Sequence, residues 1–418
     1  MKNILFVLCI ILILITPEVR PQHEAAEPAT EVTRLNDNLF RITCIGAFRI
    51  NVTALTGNEG ILLVESGLRN TTEVLKESLA KISDGEVKYI INTHMHADHT
   101  GGNRNFPDDI IIVAHDKARL RIGGQFYHLP PYLTEGLPEI TFSDTMTIYF
   151  NDQTLKLIYF PDNHTDGDII VYLPDYKTIC MGDLFFAEGF PYIDITSGGN
   201  VVNYTRTIDR IAAMMPDDAI YIPGHGGNFT KNELLQYNDT LKESIRVIRS
   251  EMARGRTAEQ MIVDSVLSRW SDWNKYPFVS NDQWLQTVYE SLHRDATPGY
   301  TSICDPVSRA LVEKGIDEAV RVYRYLSRNY PGRYDFEENQ LNILGYQLLR
   351  RGMIDEAIAV FELNIEAYPE SANVYDSMGE AFLAKGDTTR AIENYEKSLE
   401  LNPENENAVQ LLEQIQGE

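Results

Sequence analysis

The hexapeptide His94-Met-His-Ala-Asp-His99 constrains this chain more than any other stretch, because it follows directly on an apolar run, Val87 to Asn92. That run has the length and β-branched content of a buried strand, and a chain leaving such a strand must turn. In the turn, alternate imidazoles can address one cation while Asp98 and His99 address another. Imidazole with carboxylate suits zinc or iron, and two histidines with a coordination position left open make a catalytic site rather than a structural one. Nine histidines serve all 418 residues, so three in one hexapeptide are a concentration that a solvated polar loop does not explain.

Three further candidates follow other strand-like runs in the same way. His164 comes after Leu155–Phe160, in Asn163-His-Thr-Asp-Gly-Asp168. Asp183 follows Thr178–Met181, and His225 follows Ala219–Ile222 in Pro223-Gly-His-Gly-Gly227. Each sits near glycine, which lets a backbone turn sharply and approach closely. Strands that lie in packed sheets and end on one edge would bring these loops to a single site. Taken singly, Asp183 or His225 reads more simply as a turn or cap residue; the ordered set carries the argument.

The rest of the chain falls into regimes. Between about 36 and 230, ten strand-like runs alternate with turns and with helices over Thr71–Ile82, Asp116–Ile122 and Val201–Met214, a pattern that suits two packed sheets with helices outside. Thr230-Lys-Asn-Glu233 is a capping-box pattern that opens a long helix to about Arg254. Residues 255–302, with Trp270, Trp273 and Trp284, read as a helical extension packed on the first domain, which spans 30–254. From 303 to 418, Gly345, Gly352, Ala357, Phe361 and Pro369 recur as Gly379, Gly386, Ala391, Tyr395 and Pro403, each 34 residues on. A partial earlier copy has Gly315, Ala319, Tyr323 and Pro331. This period, with small residues where helices cross, resembles the tetratricopeptide repeat. So few repeats are expected to dock on their neighbour or on a second chain. They contain no histidine and are expected to serve a protein partner or self-association, leaving the chemical step alone.

Residues 1–21 read as a signal peptide or N-terminal anchor: Lys2 precedes an apolar run from Ile4 to Ile15, too short for an ordinary membrane span. The expectation is an exported protein, periplasmic or extracellular, which meets a membrane only if that segment stays uncleaved. The net charge of −24 argues against nucleic acid and anionic surfaces. Residues 303–418 hold 22 acidic against 11 basic side chains, leaving 39 against 26 elsewhere, so no single acidic tail stands out. Beyond Cys9 only Cys44, Cys180 and Cys304 occur. They make no disulfide framework, and the fold must stand on its core.

In order, His-x-His-x-Asp-His, His-Thr, Met-Gly-Asp and Pro-Gly-His resemble the metallo-β-lactamase superfamily over about residues 36–245. The resemblance implies an α/β fold, an αββα sandwich with a dinuclear site at one edge, here followed by the α-helical repeat domain. It implies that His94, His96 and His164 bind a first metal, that Asp98, His99 and His225 bind a second, and that Asp183 bridges them. Two zinc ions per chain are expected, with iron or manganese as other occupants. The implied reaction is attack of a metal-activated hydroxide on an ester, thioester or amide-like carbonyl of a small-molecule substrate, with Asp98 orienting the hydroxide and carrying its proton. Two departures stand out: Glu65 replaces the usual aspartate of Leu63-Val-Glu-Ser-Gly67, and Asp166 replaces a usual proline. Lactone-hydrolysing relatives carry tyrosine where this chain has Phe186. The stretches Leu184–Tyr192 and Phe126–Tyr132 are candidates for a pocket wall and a lid, and His115 and His128 for structural roles. Two other readings stay open: a mononuclear iron oxygenase resembling persulfide dioxygenases, and a repeat-based binding protein whose metal site is vestigial.

Overall fold

The computed structural model describes residues 27–273, 279–297, 299 and 301–416. The N-terminal run, with its expected role as leader or anchor, lies outside the described residues. Among those described, no helix is long and apolar enough to cross a membrane.

The first sheet has seven strands in chain order: β1 (Ala29–Arg34), β2 (Leu39–Ile45), β3 (Arg49–Gly57), β4 (Gly60–Val64), β5 (Val87–Ile91), β6 (Ile111–His115) and β7 (Ile140–Phe142). The pairs from β1 to β4 are antiparallel, and those from β4 to β7 are parallel. The parallel strands are joined through α1 (Thr72–Ile82), the short α2 (Ala97–Thr100) and α3 (Asp116–Ile122). The second sheet has six strands: β8 (Thr145–Phe150), β9 (Gln153–Tyr159), β10 (Ile169–Leu173), β11 (Thr178–Gly182), β12 (Ile220–Pro223) and β13 (Phe229–Thr230). Helix α4 (Val201–Met214) links the parallel pair β11 and β12, and α5 (Lys231–Met252) follows β13 behind the expected Thr230–Glu233 capping box.

Alternation within the strands builds the layers. Leu62 and Val64 of β4, Ile169 and Val171 of β10 and Cys180 of β11 point between the sheets into one buried cluster. Their neighbours point outward and are buried too. Ile61 and Leu63 meet Leu75 and Leu79 of α1. Ile170, Ile179 and Met181 meet Tyr204 and Ile208 of α4 and Leu241 and Ile245 of α5. Strands buried on both faces need helices on both outer sides, and the result is the four-layer αββα sandwich. β9 and β11 both run antiparallel to β10, and β12 runs parallel to β11, so β9, β11 and β12 all end on one edge. The loop after β5 meets them there: the Ile169 amide donates to the Thr93 carbonyl at 2.9 Å.

Three strands of these two sheets escaped the sequence reading, each for a physical reason. β1 is an edge strand whose side chains are mostly exposed, so it shows no apolar alternation. β7 and β13 are only three and two residues long, too short for any periodicity.

The extension forms α6 (Ala258–Val263) and α7 (Asn281–Ala296), and it packs on the outer face of the second sheet. Trp284 is fully buried, stacks on Phe190 at 5.1 Å and donates its indole N–H to Ser244 Oγ at 3.0 Å. A two-residue parallel ribbon, β14 (Thr301–Ser302) with β15 (Tyr334–Asp335), leads into paired helices. These are α8 (Cys304–Lys314) with α9 (Ile316–Asn329), α10 (Glu338–Leu349) with α11 (Ile354–Ala367), and α12 (Ala372–Lys385) with α13 (Thr388–Leu401), closed by α14 (Glu406–Gln416). Gly345 and Gly379 mark the crossings: a Cβ on either would come within 2.4 Å of the Phe361 ring or 2.6 Å of the Tyr395 ring.

The array docks on the sandwich. Phe126 and Leu129, from the segment between α3 and β7, lie in the same buried cluster as Ile303, Val307, Leu344 and Leu348. The segment read as a candidate lid is therefore pinned from outside. The extension should behave as part of the sandwich core: Trp284→Ala is expected to cost about 3–5 kcal/mol in urea unfolding followed by far-UV circular dichroism. A cost below about 1 kcal/mol would place that indole outside the cooperative core.

Candidate metal centre

All seven residues singled out from the sequence meet at the shared edge, and two triads face one carboxylate. In the first, His96 Nδ1 lies 3.1 Å from His94 Nε2 and 2.8 Å from His164 Nε2. Asp183 Oδ2 closes that group at 3.8 Å from His94 Nε2 and 3.5 Å from His164 Nε2. In the second, Asp98 Oδ2 lies 3.4 Å from His99 Nε2 and 3.5 Å from His225 Nε2. Asp183 Oδ1 stands 3.2 Å from His99 Nε2 and 3.4 Å from His225 Nε2. Asp183 thus turns one oxygen to each triad, and it is only 4% exposed. Asp98, at 17% exposure, is the more open carboxylate.

Each imidazole is oriented from behind. His164 Nδ1 donates to the Tyr192 carbonyl at 2.7 Å, and His225 Nδ1 to the Arg49 carbonyl at 2.9 Å, so both present Nε2 lone pairs to the centre. His94 Nδ1 meets Thr93 Oγ1 at 3.1 Å. His96 Nε2 donates to Asp194 Oδ2 at 3.2 Å and turns Nδ1 inward. His99 Nδ1 is 3.3 Å from Glu65 Oε1, close but not aligned as a hydrogen bond. Outer partners of this kind fix tautomer and ring direction in metal sites.

The substitution of Glu65 for the usual aspartate is accommodated by its backbone. Glu65 has φ +73°, and its longer side chain also accepts from the Thr93 amide at 3.3 Å and from the Thr93 hydroxyl. Asp166, which replaces the usual proline, accepts from Arg121 Nη2 at 3.0 Å and ties the His164 loop to α3. Two glycines are required by close approach. A Cβ on Gly182, whose φ is +50°, would fall 2.1 Å from Thr93 Oγ1, and one on Gly224 would fall 2.0 Å from Asp183 Oδ1.

Burial and neighbouring charge divide the groups. Burial pulls His94 well below its ordinary range and lowers His164 to about 4, so both are neutral donors at pH 7. For His99 burial acts downward too, but Asp183, Asp98 and Glu65 outweigh it and hold the imidazole well above its usual value. Burial would raise Asp183, yet His99 and His225 beside it keep it well below the carboxylate range. Both ring nitrogens of His99 and Asp183 Oδ1 are buried without a hydrogen-bond partner. Unsatisfied polar atoms converging in a dry site are costly, and a cation taking the place of the His99 proton would remove that cost. The donor set, imidazole with carboxylate, fits zinc.

Sequence reasoning missed Asp194 and the place of the Tyr192 carbonyl behind His164. In Asp194-Ile-Thr-Ser the visible signal is a cap, and the side chain does cap: Oδ1 accepts from the Ser197 amide at 2.9 Å. Only the fold reveals that Oδ2 reaches His96. Tyr192, 43% exposed, has its ring 5.7 Å from that of His96, and Phe186 lies over His225 at 5.1 Å, while Phe185 and Phe190 belong to the core. The aromatic stretch is thus divided between wall and core. His115 caps α3 and stacks on Tyr159 at 3.7 Å, and His128 pairs with Asp305 at 2.9 Å, so neither joins the cluster. Cys44, Cys180 and Cys304 are free and buried, each thiol raised to about 12 by burial.

Comparison with known proteins places these features. Residues 45–225 match the family model described as the metallo-beta-lactamase superfamily, and residues 372–405 match that of the tetratricopeptide repeat. A beta-lactamase-like protein 2 homolog of Caenorhabditis elegans is 26% identical over 211 residues, 50% of this chain and 64% of that protein. A metallo-beta-lactamase type 2 of Bacillus cereus is 26% identical over 263 residues, 58% of this chain and 100% of that one. A hydroxyacylglutathione hydrolase of Brucella ovis is 27% identical over 201 residues, 44% and 69% respectively.

Two outcomes are expected. Because His99 is held protonated at neutral pH, a divalent cation entering the metal-free protein must displace its proton, and affinity must fall as pH falls. Calorimetry of zinc binding at pH 7 in buffers of different ionisation enthalpy should report proton release; equal heats in all buffers would mean that His99 is already neutral. Separately, Asp194→Ala should weaken zinc binding by about 10- to 100-fold in a chelator competition, the usual cost of losing the carboxylate behind a ligating histidine. An unchanged affinity would show that Asp194 serves only as a cap.

Proposed function

We propose that the chain, whose residues 45–225 match the metallo-beta-lactamase superfamily, is a dinuclear zinc hydrolase acting on an ester, thioester or amide-like carbonyl. The observation that carries this reading is the division of Asp183, with Oδ2 toward His94 and His164 and Oδ1 toward His99 and His225. A single iron would leave the second, equally buried triad without purpose. A vestigial site would not keep an outer partner behind every imidazole. Two of the named relatives, a metallo-beta-lactamase and a hydroxyacylglutathione hydrolase, support a hydrolase reading.

Two divalent cations at these positions would lower the pKa of a water toward neutrality and polarise a carbonyl. The chain's own residues do the rest. His94, His96 and His164 would hold the first position and Asp98, His99 and His225 the second, with Asp183 between them. Burial alone would raise Asp98, but His99 and His225 beside it keep its carboxylate below the ordinary value, so it is ionised at neutral pH. Being the more open carboxylate, Asp98 is placed to accept the proton of an attacking water and to pass it to a leaving group. Tyr192 and Phe186 bound the site and exclude solvent from its inner side. The repeats supply a docking surface for the sandwich; a further protein partner, and export from the cytoplasm, belong to the same proposal.

Metal analysis of the purified protein with a panel of lactam, lactone and thioester substrates is the test. Two zinc ions per chain and turnover of one bond class are expected; one iron with oxygen consumption would move the assignment to an oxygenase. Within the site, Asp98→Ala should lower kcat at least about tenfold more than His225→Ala in excess zinc, since added metal refills a weakened position but does not replace a proton carrier. Equal rescue of both variants would make Asp98 a ligand only.

A further inference from the structure

The segment between α3 and β7 has two halves, and they face different partners. Its outer half belongs to the repeats. Phe126 and Leu129 are buried there, and His128 Nε2 pairs with Asp305 Oδ1 at 2.9 Å. Arg351, at the end of α10, makes three contacts with one guanidinium: it donates from Nε to the Pro130 carbonyl at 3.3 Å, from Nη2 to the Gly124 carbonyl, and lies 4.7 Å from the centre of the Tyr132 ring. Arg351 is itself held by Gln347 Oε1 at 2.9 Å from Nη1. The segment then turns inward, with the Tyr132 and Leu133 amides both donating to the Gly123 carbonyl at 2.8 and 2.9 Å.

The inner half lies against the turn that carries four of the candidate ligands, although none of the seven lines the cavity there. Leu133, Glu135 and Gly136 line a cavity of about 310 Å³ together with Met95 and Ala97, which alternate with the candidate ligands, and with Arg121. The Gly136 carbonyl accepts from Asn103 Nδ2 at 3.0 Å, Asn103 Oδ1 accepts from Ser66 Oγ at 2.8 Å, and that hydroxyl lies 3.1 Å from the His99 carbonyl. Arg121 reaches Asp166, two residues from His164. Gly124 at φ +86°, Tyr127 at +46° and Gly136 at +65° put left-handed backbone at both ends and in the middle. Of these only Tyr127 is not glycine, and a side chain at positive φ is kept there only when its surroundings over-determine it; Tyr127 packs on the cluster that the repeats build.

We propose that the repeat array is part of the catalytic unit: Arg351 is a positioning residue that, through segment 124–136, holds the wall of the substrate cleft beside the His94–His99 turn. This rests on the hydrolase reading in so far as the cleft is where substrate sits. Arg351 touches no reacting atom and no candidate ligand, so its effect falls on substrate binding rather than on metal loading or the chemical step. It leaves in place the expectation that the repeats stand apart from the chemical step and adds a role in substrate binding.

The test uses the full chain with Arg351→Ala, Arg351→Lys and, on an independent contact, His128→Ala. Amide hydrogen exchange is read in segment 124–136 and in α12 and α13. In Arg351→Ala the segment is expected to exchange at least about tenfold faster while α12 and α13 keep their protection, which also reports that the repeats are folded. KM for the substrate found in the panel should rise about three- to tenfold with kcat within about twofold and zinc content unchanged. Arg351→Lys, keeping the charge but losing the planar fork, should recover part of both effects, and His128→Ala should show the same pattern more weakly. Unchanged exchange in both Arg351→Ala and His128→Ala overturns the proposal, and so does faster exchange with an unchanged KM. If no panel substrate is turned over, the hydrolase reading fails by itself, and the exchange result still decides whether the repeats hold this wall.

Discussion

A fully buried carboxylate serving two triads is the constraint on which the rest of this structure depends. Asp183 sits where strands of both sheets converge, and its ionised form must be compensated on both sides. Compensation comes from imidazoles delivered by three separate loops, with Asp183 itself on a fourth, so the sheets must pack with β5 opposite β9, β11 and β12 and with all four ends in register. Asn51 of β3 fastens that arrangement, donating from Nδ2 to the carbonyls of Pro223 and Gly226 at 2.9 Å. Gly182 and Gly224 leave room where Thr93 and Asp183 crowd the backbone. A volume change at either glycine would displace a candidate ligand directly.

Behind the inner groups stands a second set chosen for direction. Two histidines are aimed by backbone carbonyls, Tyr192 and Arg49, and two by the carboxylates Glu65 and Asp194. Carbonyl partners come with the fold, whereas carboxylate partners also add negative charge. Asp194 raises His96 against the pull of burial, and Glu65 adds to the larger effect of Asp183 and Asp98 on His99, while His94 and His164 stay low. The site therefore contains imidazoles that are ready donors and imidazoles that must first lose a proton, a difference set by neighbours and not by residue type.

The repeats and the sandwich both carry net negative charge, so their association owes nothing to overall attraction. At physiological ionic strength charges beyond about 8 Å are screened, and local terms decide. Those terms are the burial of Phe126 and Leu129 among repeat side chains and the fork of Arg351 over two carbonyls and a ring. A short array with an apolar face is left needing a neighbour, and the segment after α3 supplies one.

The fold class was legible because its determinants are local and periodic: two-residue alternation in the strands, the capping box at Thr230, and a 34-residue offset with glycine at each helix crossing. The seven candidate ligands were legible because each follows a strand, so a topology that aligns strand ends also gathers them. Edge strands β1, β7 and β13 were not, since a strand that is short or exposed has no apolar rhythm to show. Asp194 was hidden because one side chain does two things, and only capping leaves a trace in neighbouring residues. The meeting of Arg351 with Gly124, more than two hundred residues apart in the chain, left no trace at all. Sequence determines which segments form elements, because propensity and alternation act between neighbours. Tertiary structure alone decided which carboxylate stands behind which imidazole and which loop the repeats hold, because those contacts depend on how completed elements pack.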